Sequence, residues 1–143
     1  MLQELTESQF RDILKYDNHQ INMKHNFKLD RNCENVNILE MRADDENNEF
    51  QGIIYSEIIS KNENKIGTIF EVYIPEQFKD TNFAQVLIEH ALKSMHGQYG
   101  INNFMAYANE ENLQSFIENG FEQLTNGRIV KGKLSNIKLS LNW

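Results

Sequence analysis

The chain is 143 residues long and contains seven glycines, one proline and one cysteine, with 40% hydrophobic and 10% aromatic residues. This size and composition predict one domain, spanning residues 1–143, and the single Cys33 excludes an internal disulfide or a cysteine-cluster metal site. The formal charge of −7 argues against nucleic acid and anionic membranes as partners. No apolar run reaches the roughly 18 to 20 residues of a membrane span. No secretory signal begins the sequence, which predicts a cytoplasmic protein.

The first half of the chain predicts a short strand at residues 2–5, two helices and then three strands. Thr6 and Gln9 have the spacing of a capping box, so a helix is expected to begin there. A second, irregular helix is expected at residues 16–29. Three later runs are rich in β-branched and aromatic residues and predict an antiparallel meander with turns at residues 44–49 and 61–64. These runs are residues 36–41, 50–59 and 66–74.

The clearest amphipathic pattern lies in the second half of the chain and predicts one long helix. We expect this helix to end at Gly97 and Gly100, because glycine favours helix ends. The apolar residues that repeat at helical spacing are Ala84, Leu87, Ile88, Ala91, Leu92 and Met95.

A strand at residues 104–108 is predicted next, followed by a short helix that Asn109 is suited to cap. Gly120 fits the position just after this helix, where a left-handed residue closes a Schellman motif. Phe121 is then expected to pack on Phe116.

The tail predicts two more strands, one built from residues 121–125 and 128–134 and the other from residues 137–141. The resulting order of elements is β-α-α-β-β-β-α-β-α-β-β. This order predicts an α/β (α+β) fold with a mixed, mostly antiparallel sheet of about six to seven strands, flanked by about four helices.

Two segments within this order match the motifs of a known superfamily. Residues 79–84 read Lys-Asp-Thr-Asn-Phe-Ala, where the family has Gln/Arg-x-x-Gly-x-Gly/Ala before its long helix. Residues 109–121 carry Asn-x-x-Asn, then Phe116, then Gly-Phe, at the spacing of the family's Asn-x-x-Ala/Ser, aromatic residue and Gly-Phe. With the element order, these segments resemble the GNAT superfamily of acyl-CoA-dependent N-acyltransferases over nearly the whole chain.

This resemblance implies that acetyl-CoA is the acyl donor. Its pyrophosphate would lie against the backbone of the turn and the helix N-terminus, and its pantetheine arm beside the end of the strand at residues 66–74. The chain departs from the family because no glycine lies between Gly67 and Gly97, and because Asp80 adds a negative charge. The implied cofactor-binding residues are Val72, Tyr73, Ile74, Lys79, Asp80, Thr81, Asn82, Phe83, Ala84, Asn109 and Phe116.

Acyl transfer to an amine needs a base for the amine and an acid for the leaving thiolate. Glu71, on the strand that lines the expected cleft, is the best candidate base, and Glu57 is the second; the alternative is that each is an ordinary strand carboxylate. The family often uses a tyrosine as the acid, but the corresponding position here is Phe116. Tyr107 is the candidate replacement, and its alternative is an ordinary strand aromatic.

Two hypotheses of different class follow. The first is an acetyl-CoA-dependent N-acyltransferase that acts by direct attack of a small-molecule or peptide amine, where the acidic surface mildly favours a cationic acceptor. The second is a non-catalytic GNAT-like binding module that has lost acetyl-CoA use, because the turn lacks glycine and Phe116 lacks a hydroxyl. Neither hypothesis involves a nucleic acid, a membrane or a metal. A homodimer is compatible with both, since the family dimerises by several routes.

Overall fold

The computed structural model describes residues 1–16, 32–124 and 129–141. Its strands are β1 (Leu2–Glu4), β2 (Cys33–Arg42), β3 (Phe50–Lys61), β4 (Asn64–Tyr73), β5 (Asn103–Tyr107), β6 (Glu122–Gln123) and β7 (Ile129–Lys133). Its helices are α1 (Glu7–Tyr16), α2 (Phe83–Tyr99), α3 (Leu113–Glu118) and α4 (Leu134–Leu141), with a 3-10 turn at Glu76–Phe78. Within these ranges, no helix combines the length and the apolar character that crossing a membrane requires.

One mixed sheet contains the seven strands in the order β1-β2-β3-β4-β5-β7-β6. Strands β4 and β5 run parallel, and the other neighbouring pairs are antiparallel. Strands β2, β3 and β4 form the predicted meander, and Asn62 and Glu63 make its second turn with positive φ angles. The predicted fold class is therefore confirmed.

The predicted capping box begins α1. The Thr6 N–H donates to Gln9 Oε1 at 2.8 Å, and the Gln9 N–H donates to Thr6 Oγ1 at 3.1 Å. This reciprocal pair satisfies two amides that a helix start leaves without partners. The irregular helix predicted for residues 16–29 falls, apart from its first residue, outside the described residues.

The long helix α2 ends one turn later than one of its two glycines suggested. Gly97 lies inside the helix, so the prediction that it ends α2 is wrong. Gly100 is the C-cap, with φ 67°, and its N–H donates to the His96 carbonyl oxygen at 2.9 Å. A left-handed residue is needed only at that second position, where glycine adopts it without steric cost.

The strand predicted for residues 137–141 is wrong, because this segment is the helix α4. Ile137, Leu139 and Leu141 alternate as in a strand, but Leu139 is 85% exposed. Leu134, Ile137 and Leu141 instead share a helical face that packs into the core. The helix lies close against Gly120, where an added Cβ would come within 3.0 Å of the Ile137 Cα. The segment fits both patterns, and packing of this helical face accounts for the helix.

The sheet separates two hydrophobic cores. We call the side packed against α2, α3 and α4 the α2 face, and the side packed against α1 the α1 face. Strand side chains alternate, and one extra residue in β4 between Ile69 and Glu71 shifts this alternation by one position. Ile69 and Val72 therefore both point to the α2 face, and Tyr73 points to the α1 face. Buried residues of the smaller core, on the α1 face, are Leu5, Phe10, Ile38, Phe50, Ile53 and Tyr55.

Candidate active site

The parallel strands β4 and β5 separate after a short stretch of pairing. Residues Ile66–Ile69 pair with Asn103–Ala106, and beyond this point no described strand pairs with β4 on its β5 side. On its other side, β4 carries an extra residue, because Tyr55 opposes Glu71 whereas Ser56 opposes Ile69. Such a bulge bends the strand that contains it. The last four residues of β4 are thus left without a strand partner on this side, and we call this unpaired edge between β4 and β5 the opening.

The turn that leads from β4 to α2 is held by Thr81. Its hydroxyl donates to the Phe78 carbonyl oxygen at 2.5 Å and accepts from the Phe83 N–H at 3.3 Å. Asn82 is the N-cap residue, and its carbonyl oxygen accepts from the Val86 N–H at 3.0 Å. Thr81, and not Asp80, therefore provides the side-chain hydrogen bond at the start of α2, while the N-cap residue Asn82 makes none with its side chain.

The first turn of α2 presents free backbone amides. A helix leaves its first N–H groups without intrahelical partners, and among the described residues none accepts a hydrogen bond from the Ala84 or Gln85 N–H. These groups carry the partial positive charge of a helix N-terminus. They can bind an anion such as a phosphate.

The absence of glycine from this turn causes no backbone strain. Asn82 has φ −90° and ψ 17°, and no described residue between Pro75 and Asn82 has a positive φ. No residue of this turn therefore needs the left-handed conformation that glycine favours. What differs from a glycine-rich turn is side-chain volume and charge: Lys79 lies 3.9 Å from Glu76 in an exposed ion pair, and the Asp80 side chain is exposed nearby.

The prediction that Asn109 caps the short helix is wrong, because the N-cap residue of α3 is Asn112. The Asn109 side chain instead closes the turn that precedes the helix. Asn109 Oδ1 accepts from the Asn112 N–H at 2.9 Å, and Asn112 Oδ1 accepts from the Asn109 N–H at 2.7 Å. At the other end of α3, the Phe121 N–H donates to the Phe116 carbonyl oxygen at 3.1 Å, and Gly120 has φ 92°. The Phe116 and Phe121 rings meet edge to face at 5.3 Å. The predicted Schellman motif is confirmed, and it buries Phe116 completely.

Tyr107 lies at the opening with its phenol accessible. It is the last residue of β5 and is 44% exposed. Its ring stacks on Phe70, the residue beside the β4 bulge, with centroids 5.2 Å apart. Phe70 in turn contacts Tyr55, which stacks on Phe10 of α1. This aromatic row spans the α1 face and fixes the Tyr107 ring across the two separating strands.

The two candidate carboxylates differ in their surroundings. Glu71 opposes Tyr55 across the strands and is half-buried, and this burial raises the pKa of its carboxyl above the ordinary value. Glu57 is completely buried and accepts a hydrogen bond from the Tyr55 hydroxyl at 2.9 Å. Glu71 is therefore the carboxylate that a ligand in the opening can reach. Sequence reasoning missed Phe70, because a bulge and a ring stack between strands leave no local pattern.

The chain is similar in structure to several solved proteins over nearly its whole length. No family model and no curated protein matches the chain. Among solved structures, the KacTA–DNA complex is 13% identical with a TM-score of 0.65, covering 99% of this chain and 98% of that chain. A mutant AtaT toxin bound to the C-terminus of the antitoxin AtaR and acetyl-CoA is 16% identical with a TM-score of 0.64, covering 100% and 98%. A chimera of spermidine N-acetyltransferase SpeG from Vibrio cholerae and hSSAT is 15% identical with a TM-score of 0.68, covering 96% and 98%.

These structures are GNAT acetyltransferases, and at such low identity the likeness shows the fold alone. The chain has the GNAT fold, as the resemblance predicted. The expectation that the net negative charge excludes nucleic acid as a partner is wrong. KacTA is seen in complex with DNA, and AtaT with AtaR and DNA. Net charge averages over a whole surface, whereas binding depends on local charge.

Proposed function

We propose that this chain is an acetyl-CoA-dependent N-acyltransferase. The observation that carries the proposal is the opening at the end of β4, from which residues 74–82 lead directly to the free amides of α2. The unpaired edge of β4 from Phe70 to Tyr73 can bind an amide-bearing arm as an added strand would. The Ala84 and Gln85 N–H groups suit a diphosphate. Residues 79–84 fit a diphosphate because the backbone of this turn is unstrained and the Thr81 side chain already bonds to the start of the helix.

The other residues predicted to contact acetyl-CoA are assigned from their positions around the opening. Val72, Tyr73 and Ile74 border the unpaired edge, and Lys79 supplies a cation beside the turn. Asn109 lies just beyond β5, on the other side of the opening. Phe116 supports this segment from the core, since its ring is completely buried. When bound, acetyl-CoA would supply an activated acyl thioester.

The chemical roles fall to two side chains on the α1 face. Glu71 accepts the proton of the attacking amine as the carbon–nitrogen bond forms. Tyr107 donates its phenolic proton to the leaving sulfur as the carbon–sulfur bond breaks. The proton held by Glu71 then passes through solvent to the Tyr107 phenolate, which restores both side chains. A base works best with a pKa near the working pH, and the burial that raises the pKa of Glu71 moves it in that direction.

The proposal is tested by titrating acetyl-CoA into the protein in a calorimeter. We expect binding below millimolar concentration, and Lys79→Ala should weaken it by about threefold to tenfold, as expected for one charge-assisted contact. Lys93→Ala is the matched control, because Lys93 also pairs with a glutamate one turn away on a helix, at 3.1 Å from Glu89. An absence of binding at millimolar acetyl-CoA would contradict the proposal.

The second candidate function is a non-catalytic binding module. It is favoured by the two acids, Glu76 and Asp80, that stand near the site where a diphosphate would bind, and by the phenylalanine at position 116. The two functions separate in one assay. An acyltransferase releases free thiol from acetyl-CoA when an amine is present, and this release should be lost in Glu71→Gln, whereas a module releases none in either protein.

A further inference from the structure

A second concave region lies on the same sheet, on the side away from α2. It is a cavity of about 700 Å³ over β3, β4, β5, β7 and β6, which is within the usual size range of small-ligand sites. Its floor includes Ile66, Thr68 and Met105. Thr68 lies three residues before Glu71 on β4, or roughly 10 Å along the strand. The cavity therefore lies next to the proposed active site on the same face of the sheet, with the stacked rings of Phe70 and Tyr107 at the boundary between them.

Charge is distributed unevenly across this cavity. Lys61, Lys131 and Lys133 line it, with Glu122 as its one lining acid among the described residues. None of the three lysines has an ion-pair partner within the described ranges, although Lys131 opposes Glu122 in strand register. An otherwise acidic chain thus has a local excess of positive charge at this end of the sheet.

The strand register places negative charge on the β3–β4 side of the cavity, opposite the lysines of β7. Thr68 of β4 pairs with Glu57 of β3 on one side and with Met105 of β5 on the other. Met105 in turn pairs with Lys131 of β7. Two strand spacings separate β4 from β7, or roughly 10 Å. Carboxylates therefore lie on the β3–β4 side and ammonium groups on the β7 side, with the apolar Met105 between them.

Thr68 provides an independent sign that this floor is incomplete. It is completely buried, and its Oγ1 has no hydrogen-bond partner among the described residues. A buried hydroxyl without a partner is costly, and native proteins rarely leave one. A polar group of a ligand in the cavity would satisfy it.

We infer that the cavity binds the acceptor, and that this acceptor carries an anionic group, a carboxylate or a phosphate, about 10 to 15 Å from its reacting amine. The amine lies toward Glu71, the apolar spacer crosses Met105 and Ile66, and the anion binds Lys131 and Lys133. This inference rests on the proposed function. It replaces the expectation of a cationic acceptor, which was drawn from the net charge of the whole chain.

The test uses four probes built on ten-carbon chains, which are long enough to span that distance, titrated into the protein without acetyl-CoA and followed by amide chemical shifts. Aminodecanoate and aminodecyl phosphate carry an anion at the far end, decylamine carries no second charge and diaminodecane carries a second cation. We expect at least one anionic probe to bind about fivefold to tenfold more tightly than diaminodecane, as two weak ion pairs allow. The stronger of the two anionic probes identifies the anion. Equal or tighter binding of diaminodecane would overturn the inference.

Charge variants locate the site. Lys131→Gln with Lys133→Gln should abolish the preference for the anionic probe. Lys93→Gln with Lys138→Gln makes the same change in net charge outside the cavity and should preserve the preference. If both double variants lose it equally, the effect is long-range and the cavity is not the site. If acetyl-CoA fails to bind while the anionic probes succeed, the proposed function fails and the cavity is not an acceptor site.

The role of Thr68 is tested by a change of nearly equal volume. Thr68→Val should weaken the anionic probe by about threefold to tenfold while leaving the unliganded protein at least as resistant to urea as the parent. Ser56→Ala is the control, because Ser56 Oγ is another buried hydroxyl without a partner in the described residues, outside the cavity lining. It should leave probe binding unchanged. Equal probe binding by both variants would overturn the hydroxyl contact.

Discussion

The two faces of the central sheet differ in what their side chains can do. The α2 face is closed by three helices and is mainly apolar, with Ile54, Ile69 and Leu92 completely buried. Its buried amides, Asn37 and Asn119, are hydrogen-bonded to α2. The α1 face carries the carboxylates, the exposed phenol of Tyr107 and the lysine-lined cavity. A single strand contributes to both, since β4 directs Ile69 inward to the helices while Glu71 opposes Tyr55 on the other side. Core packing is thus concentrated on one face of the sheet, and the groups proposed for chemistry lie on the other.

The largest effect on stability is expected from the α2 face. Leu92→Ala should lower the free energy of unfolding by about 2 to 5 kcal/mol, because it leaves a cavity in a packed interior. The control is Leu139→Ala on α4, which is 85% exposed and should change it by less than about 0.5 kcal/mol. Urea denaturation measures both. Similar values for the two variants would contradict the close packing of the α2 face.

A pair of glycines sharpens the same point. A Cβ at Gly67 would lie 2.8 Å from Met95 Sδ and 2.9 Å from Phe104 Cδ1, so Gly67→Ala should cost about 1 to 3 kcal/mol through overpacking. At Gly97, inside α2, nothing lies within 4 Å of such a Cβ. Gly97→Ala should therefore stabilise the protein by about 0.5 to 1 kcal/mol. Melting temperatures that move in the same direction for both would be inconsistent with this packing.

Phe116→Tyr tests whether the missing hydroxyl limits activity. The Phe116 ring is completely buried against Phe121, so an added hydroxyl without a partner should cost about 1 to 3 kcal/mol. Turnover should not rise, because Tyr107 is the proposed acid. Denaturation and thiol release together give the answer. A gain in turnover at unchanged stability would transfer the role of acid from Tyr107 to position 116.

Glu71→Gln has the smallest expected effect on stability and the largest on rate. In the folded chain, burial raises the pKa of the Glu71 carboxyl above the ordinary 4.5. Below pH 4.5 the carboxyl is protonated in both folded and unfolded chains and does not change the free energy of unfolding. Above the raised pKa it is ionised in both, and the buried charge disfavours folding. The variant should therefore be slightly more stable than the parent at neutral pH, and equally stable in acid.

The rate should respond in the opposite sense. Turnover by the parent should rise with pH as Glu71 loses its proton, with an inflection above pH 4.5, and Glu71→Gln should lower it by about 10² to 10⁴-fold. Glu110→Gln, an exposed change of the same charge, should leave both the profile and the rate intact. A rate profile that is unchanged in Glu71→Gln would remove this residue from the mechanism.

The features that the sequence predicted are those set by local hydrogen bonds and periodicity. The Thr6–Gln9 capping box and the left-handed Gly120 follow from side-chain chemistry over a few residues. The helix α4 was missed because Ile137 and Leu141 fit both a strand and a helix, and contact with Gly120 accompanies the helix. Local pattern is ambiguous in segments this short.

The candidate site was predictable only as a set of residues. The strand and turn were located correctly, but the opening depends on where β5 stops pairing with β4 and on the bulge beside Phe70. Both are properties of strand register, which involves residues distant in sequence. The cavity on the α1 face has the same origin, because Thr68 and Lys131 come together only across three strands.

The central claim is that acetyl-CoA binds between β4 and β5 with its diphosphate at the start of α2. The most direct test is to follow backbone amide shifts while acetyl-CoA is added to isotope-labelled protein. We predict the largest shifts at residues 70–74 and at Phe83, Ala84 and Gln85, with little change at Lys131 or Lys133. No shifts at millimolar acetyl-CoA, or shifts confined to the cavity on the α1 face, would contradict the account.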